Sequence, residues 1–384
     1  MPDRLLEDVC ITHFFNPVKV MKLCELIPGE KTKPEILNSL SIFLQDIMNK
    51  GVVNAKDTVN FIGNRIGCFL ILKGLHQGKK AREAGIMQEE IDGLMSRPIG
   101  LPPTGLYGLV DLIGLDVMYS VGKNLAINLP ENDQGLKYVN LPTEEQNMYD
   151  NGQLGRKSGG GFYRVQKLDN GEKKKEVFDL SNLEWRDFKK ISIEGDLSLM
   201  LEDTEQGNYL WHVMGSTLAY AADLIPEIAD DILNIDRAMR WGFAWSKGPF
   251  EMLDEIGSNN FINKCKENNI SIPKMLQILD ESENNTFYKE GKYLSKEGIY
   301  IDNWKIVANG VFREQEIKNK LLCGSYPARS PLTNIADLKA QIASCKKGET
   351  ELLKIVDKYG LETVFRFQEL VCQNAENAVR DSIK

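Results

Sequence analysis

The sequence predicts a mostly α-helical chain that opens on a short strand-rich segment. Three observations predict it. Over residues 1–57 apolar residues alternate or run in short blocks, with one helical stretch among them. From there to about residue 155 the apolar spacing is helical. Part of that helical pattern then recurs further along the chain.

Residues 8–29 read as two short strands broken at Asn16-Pro17. "VMKLCELI" alternates roughly in and out, and Pro28-Gly29 is a turn signal. Residues 33–48 predict an amphipathic helix, with Pro34 in the first turn, where its missing N–H has no partner to lose. "GVVNAKD" (Gly51 to Asp57) is a third strand. "TVNFIGNRIGCFLILKGLHQGKKAREAG" predicts a long helix ended by Gly85, and "QEEIDGLM" a short one. "TGLYGLVDLIGLDVMYSVGKNLA" predicts one further helix. From Gly155 to Glu176 a glycine cluster precedes a charged run, which predicts a terminal strand or turn followed by a solvated linker.

The repeat pairs "GNRIGCFLILKGLHQGKKAREAGIMQEEID" (Gly63 to Asp92) with "GNYLWHVMGSTLAYAADLIPEIADDILNID" (Gly207 to Asp236). With one residue of slip, "MSRPIGLPPTGLYGLVDLIG" then pairs with "MRWGFAWSKGPFEMLDEIG". Two such copies predict helical modules that pack on each other or bury a shared face. Beyond residue 297 the pattern has no counterpart in either copy, and the tail reads as amphipathic helices broken at Gly360.

A chain of 384 residues has room for two or three domains. Its net charge of −8 argues against nucleic acid as a main partner. No apolar run is long enough to span a membrane, and "MPDRLLEDVC" lacks the apolar core of a secretory signal. The seven cysteines are scattered without a CxxC pair, as expected for reduced thiols in a cytoplasm.

His13 is the first candidate for chemistry, because imidazole is the usual base near neutral pH and needs a partner to fix its tautomer. Glu25, on the following strand, can be that partner if the chain bends at Asn16-Pro17. A hydrogen-bonded structural histidine is the competing reading. Asn64, at a helix start, offers an amide to a substrate carbonyl or merely makes local backbone bonds. Asn208 matches it in the second copy but has no histidine partner. His76 and His212 lie mid-helix, and the three histidines show no metal spacing. Neither G-x-G-x-x-G nor a P-loop occurs in the sequence.

"HFFNPVKVMKLCELIPG", "GVVNAKDTVNFIGNRI", "GLPPTGLYGLVDLIGLD" and "GQLGRKSGGGFY" occur in this order. Together they resemble the 3-hydroxyacyl-CoA dehydrogenase family of fatty-acid β-oxidation. "LAYAADLIPEIADDILNIDRAMRWGFAWSKGPFEMLDEIG" looks like the tandem repeat of its long bacterial members. The resemblance implies remnant strands of an NAD-binding α/β domain over 1–57. It implies a helical module like those of 6-phosphogluconate dehydrogenase over 58–165 and a second copy over 190–295. It gives His13 as base, Glu25 as its support, Asn64 and Asn16 as substrate-site residues, and Lys157 as a cofactor contact. NAD as cofactor, an acyl-CoA substrate and a homo-oligomer are implied as well. Most of the family's dinucleotide-binding domain is expected to be missing, so a separate chain would have to supply it for activity. A catalytically inactive remnant or dimerisation module is the alternative. "YPARSPLTNIADLKAQIA" resembles the C-terminal end of the hydantoinase B/oxoprolinase family, over residues 297–384.

Overall fold

The computed structural model describes residues 3–282 and 284–302. The chain divides into two compact units, one running to Phe287 and taking in Leu294–Ile299, the other including Tyr288–Tyr293 and the residues from Tyr300.

The first unit opens with a helical turn, α1 (Asp3–Leu6), and strands β1 (Cys10–Phe14) and β2 (Leu23–Pro28). Helix α2 (Pro34–Ile42) and a π-type turn (Phe43–Ile47) lead to β3 (Gly51–Asn54). The sheet order is β1-β2-β3, with β1 antiparallel and β3 parallel to β2. The apolar block Leu23–Ile27 is buried because β2 is the central strand. One helix is expected over 33–48, whereas α2 ends early and buries no residue. Its apolar residues Ile36, Leu37 and Leu40 are half-buried, and the turn that follows leaves Phe43 at 48% and Ile47 at 73% exposure.

Helices α3 (Gly63–Glu83), α4 (Gln88–Leu94), α5 (Gly105–Ile113), α6 (Leu115–Asn128) and α7 (Thr143–Asp150) follow. The single helix expected from Thr104 onward is two, α5 and α6, bent by 89°. The bend sits at Gly114, whose φ of +101° favours glycine. The linker expected over 155–176 is also corrected. Strands β4 (Tyr163–Lys167), β5 (Lys173–Asp179) and β6 (Glu184–Asp187) form an antiparallel sheet. The charged run is divided between the two faces of that sheet: on one, Arg164 pairs with Glu176 at 2.6 Å and stacks over Trp185; on the other, Lys175 lies over the rings of Tyr163 and Phe188, and Val177 is fully buried.

Helix α8 (Glu205–Leu210) continues through a π-type turn (Trp211–Gly215) into α9 (Ser216–Asp223). Then come α10 (Ile232–Gly242), α11 (Pro249–Ile256), α12 (Ser258–Glu267) and α13 (Lys274–Asp280). The sequence repeat has a geometric counterpart. Asp92 accepts hydrogen bonds from the N–H groups of Tyr107 (2.7 Å) and Gly108 (3.1 Å), at the start of α5. Asp236 accepts from Phe250 (2.8 Å) and Glu251 (3.2 Å), at the start of α11. Both need a glycine opposite: a Cβ on Gly105 would lie 2.5 Å from Asp92 Cβ, and one on Gly248 2.2 Å from Asp236 Cβ. Asp111 accepts from Phe162 N–H and Asp254 from Phe287 N–H, a further pairing that spacing alone does not reveal.

Between the copies, Phe69 of α3 stacks on Tyr220 of α9 at 4.2 Å. The buried Arg65 guanidinium donates to Tyr220 Oη (2.5 Å), Asp133 (2.5 Å) and Glu227 (2.9 Å).

Strand β7 (Tyr288–Lys289) pairs antiparallel with β8 (Lys292–Leu294), and β9 (Tyr300–Asp302) completes a small sheet. The helical tail expected beyond residue 302 lies outside the described residues. No single helix among the described residues is long and apolar enough to cross a membrane.

Candidate active site

The β1/β2 register sets His13 directly opposite Glu25. Cross-strand neighbours on one face reach each other, and His13 Nδ1 lies 2.5 Å from Glu25 Oε2. The Glu25 side chain is fully buried, and both of its oxygens have partners. Its Oε1 accepts from Ile62 N–H (3.0 Å) and Gly63 N–H (2.8 Å), at the first turn of α3. That helix end favours a negative charge and ties the carboxylate in place. With Nδ1–H donated to Glu25, Nε2 carries the lone pair. The His13 side chain is 28% exposed, and among the described residues its Nε2 makes no hydrogen bond. A buried carboxylate, a fixed tautomer and an open Nε2 make an arrangement that can take a proton and stabilise the imidazolium formed.

Two aromatic rings flank the imidazole, Phe15 at 4.9 Å and Phe61 at 5.5 Å between centroids. Phe61 reaches it because Asn60 and Phe61 both have left-handed backbones, φ +61° and +50°. Asn60 Nδ2 and Thr58 Oγ1, in the same loop, are buried without hydrogen-bond partners. Sequence reasoning missed this loop's role. The only local signal is that "TVNFIGN" packs polar and aromatic residues just before a helix.

Asn64 lies one residue beyond the N–H groups that hold Glu25, partly buried, with no side-chain hydrogen bond among the described residues. Asn16 is exposed at the turn after β1. Lys157 sits in a short 3-10 turn (Arg156–Ser158) and pairs with Asp116 at the start of α6, so its contacts do not join it to His13. Asn208 lies in α8, His76 Nε2 donates to the Asn140 carbonyl at 2.8 Å, and His212 lies in the turn after α8.

Residues 61–165 match the model of the 3-hydroxyacyl-CoA dehydrogenase C-terminal domain, and residues 4–58 match that of its NAD binding domain. Over these segments the chain is similar to the 3-hydroxyacyl-CoA dehydrogenases. The expectation of a missing dinucleotide-binding domain is thereby corrected: the dehydrogenase-like chain carries a segment of it, folded as β1 to β3 with α2. NAD is the cofactor this match indicates. Residues 284–384 match hydantoinase B/oxoprolinase, almost wholly outside the described residues.

The chain is 33% identical over 314 residues to the Rickettsia prowazekii "Putative fatty acid oxidation complex trifunctional enzyme", covering 79% of this chain and 42% of that protein. It is 35% identical over 287 residues to the Bacillus subtilis "Probable 3-hydroxyacyl-CoA dehydrogenase", covering 72% and 36%. The chain thus spans less than half the length of these curated relatives. The crystal structure of Escherichia coli 3-hydroxybutyryl-CoA dehydrogenase aligns at 20% identity with a TM-score of 0.48, covering 71% of this chain and 70% of that one.

The start of α3 is not free to hold the cofactor's pyrophosphate. The helix start after β3, where backbone N–H groups would face an anion, is already filled by Glu25.

Proposed function

We propose that this chain provides the proton-transfer side of 3-hydroxyacyl-CoA oxidation to 3-oxoacyl-CoA, with NAD as the oxidant. The observation that carries the reading is the His13–Glu25 pair, held by the start of α3 with Nε2 open. His13 Nε2 takes the proton of the substrate 3-hydroxyl. Glu25 offsets the positive charge that the imidazole gains. Asn64, adjacent and without a side-chain partner among the described residues, donates to the thioester carbonyl. Asn16 shapes the mouth of the site. Lys157 contacts the cofactor after releasing Asp116. The paired Asp92 and Asp236 caps support two copies of one helical module, over 58–165 and 190–295.

In this reading the pyrophosphate loop lies outside the described residues, and the exposed apolar side chains of Val20, Phe43 and Ile47 on the strand-rich segment support it. The test is NADH formation from a 3-hydroxyacyl-CoA by the purified chain, with and without an added polypeptide carrying that loop. Turnover is expected with the partner, and His13→Gln is expected to lower it by about 10²–10⁴-fold while the fold persists. Absence of turnover in both arms, or full turnover in the variant, would overturn the assignment.

A further inference from the structure

Lys73 lies in the middle of α3 and is only 9% exposed. No carboxylate pairs with it among the described residues. Its ammonium lies instead over the rings of Tyr138 (5.1 Å) and Phe69 (5.5 Å). Burial pushes its pKa down to about 8, and the neighbouring charges of Lys137 and Lys80 push the same way. His212 is in the same field: burial lowers its pKa, and Lys73, Lys80 and Lys264 add to the effect. A buried cation among cations is costly unless an anion joins it.

The place for that anion is present. Lys73 borders a cavity of 150 Å³ together with Gln134, Lys137, Tyr138, Ser216 and Ile270. Ser216 is 7% exposed, and its hydroxyl makes no hydrogen bond among the described residues. The carboxylate in contact with this wall is Asp223, which accepts from Gln134 at 3.4 Å and from Lys274 N–H at 2.9 Å. Lys73 and Tyr138 belong to the first helical copy and Ser216 to α9 of the second, so the cavity exists only where the copies meet.

We propose that this cavity binds a phosphate group, with Lys73 Nζ and Ser216 Oγ as its inner donors and Lys137 at its mouth. Its volume of 150 Å³ has room for one tetrahedral oxyanion. The group is therefore either free phosphate or the terminal phosphate of a larger ligand whose remainder stays outside. This site is independent of the His13–Glu25 pair.

The test uses the full chain in phosphate-free buffer, titrated calorimetrically with inorganic phosphate, coenzyme A and dephospho-coenzyme A, with parallel thermal melts. Saturable one-to-one phosphate binding that raises Tm is expected. Lys73→Met should weaken it by about tenfold or more, the loss of one charged hydrogen bond. Ser216→Ala should weaken it less and keeps the test open if Lys73→Met does not fold. In phosphate-free buffer the Tm of Lys73→Met should equal or exceed that of the wild type, because an uncompensated charge is removed. Lys73-dependent binding of coenzyme A without binding of dephospho-coenzyme A would assign the phosphate to a larger ligand. No saturable binding of phosphate or coenzyme A, or equal affinity in Lys73→Met, would overturn the proposal.

Discussion

Glu25 shows how one side chain joins three elements. It sits on β2, holds His13 of β1 and caps α3. Glu25→Ala would leave two helix N–H groups and His13 Nδ1 without their acceptor. A loss of about 3 kcal/mol is expected, read from the urea midpoint at constant slope. Glu145 is the opposite case, a buried carboxylate whose two oxygens have no partner among the described residues. Burial pushes its pKa from 4.5 up to about 7. The folded state therefore holds the proton more tightly than the unfolded chain between these values, and stability falls as pH rises across that window. Glu145→Gln should gain up to about 3 kcal/mol at pH 8 and change little at pH 4, as thermal melts at the two values would show. His13 and Glu25 were legible as a pair because strand alternation and the Asn16-Pro17 break allow them to meet. Asn60, Phe61 and Lys73 were not, because their significance lies in backbone conformation and in the burial of an unpaired charge.

At the scale of elements, the start of a helix is held by an aspartate from the helix before the preceding loop. Asp92→Ala and Asp236→Ala each remove an acceptor for two N–H groups, at α5 and α11. Each should cost about 1–2 kcal/mol in chemical denaturation. The recurring Ile-Asp ending made the repeat visible in sequence, but its meaning as a cap needed the fold. Helix existence was legible from apolar periodicity over Gly63–Glu83 and Gln88–Leu94. The division at Gly114 was not, since glycine inside an apolar helical pattern is compatible with a continuous helix. The β4–β6 sheet was hidden for a different reason. Its lysines and glutamates dominate the composition, while the adjacent Val177 and Phe178 give each face only one central apolar residue.

At the scale of the whole first unit, the two copies are joined by Arg65. It is buried, and it spans α3, Asp133, Tyr220 and Glu227. Arg65→Ala would strand the nearly buried Asp133 carboxylate without its cation, at an expected cost of about 3–5 kcal/mol. Calorimetry would show a lower Tm, with the copies losing their shared transition if this network couples them. By itself the sequence determined the strand-rich opening, the helical repeat and the His13–Glu25 candidate pair, because these follow from local periodicity and short-range spacing. Tertiary structure alone decided which donors fix Glu25, where the long helix bends, and which charges meet between the copies. Those depend on contacts between residues far apart in the chain, as between Arg65 and Tyr220, which no local pattern records.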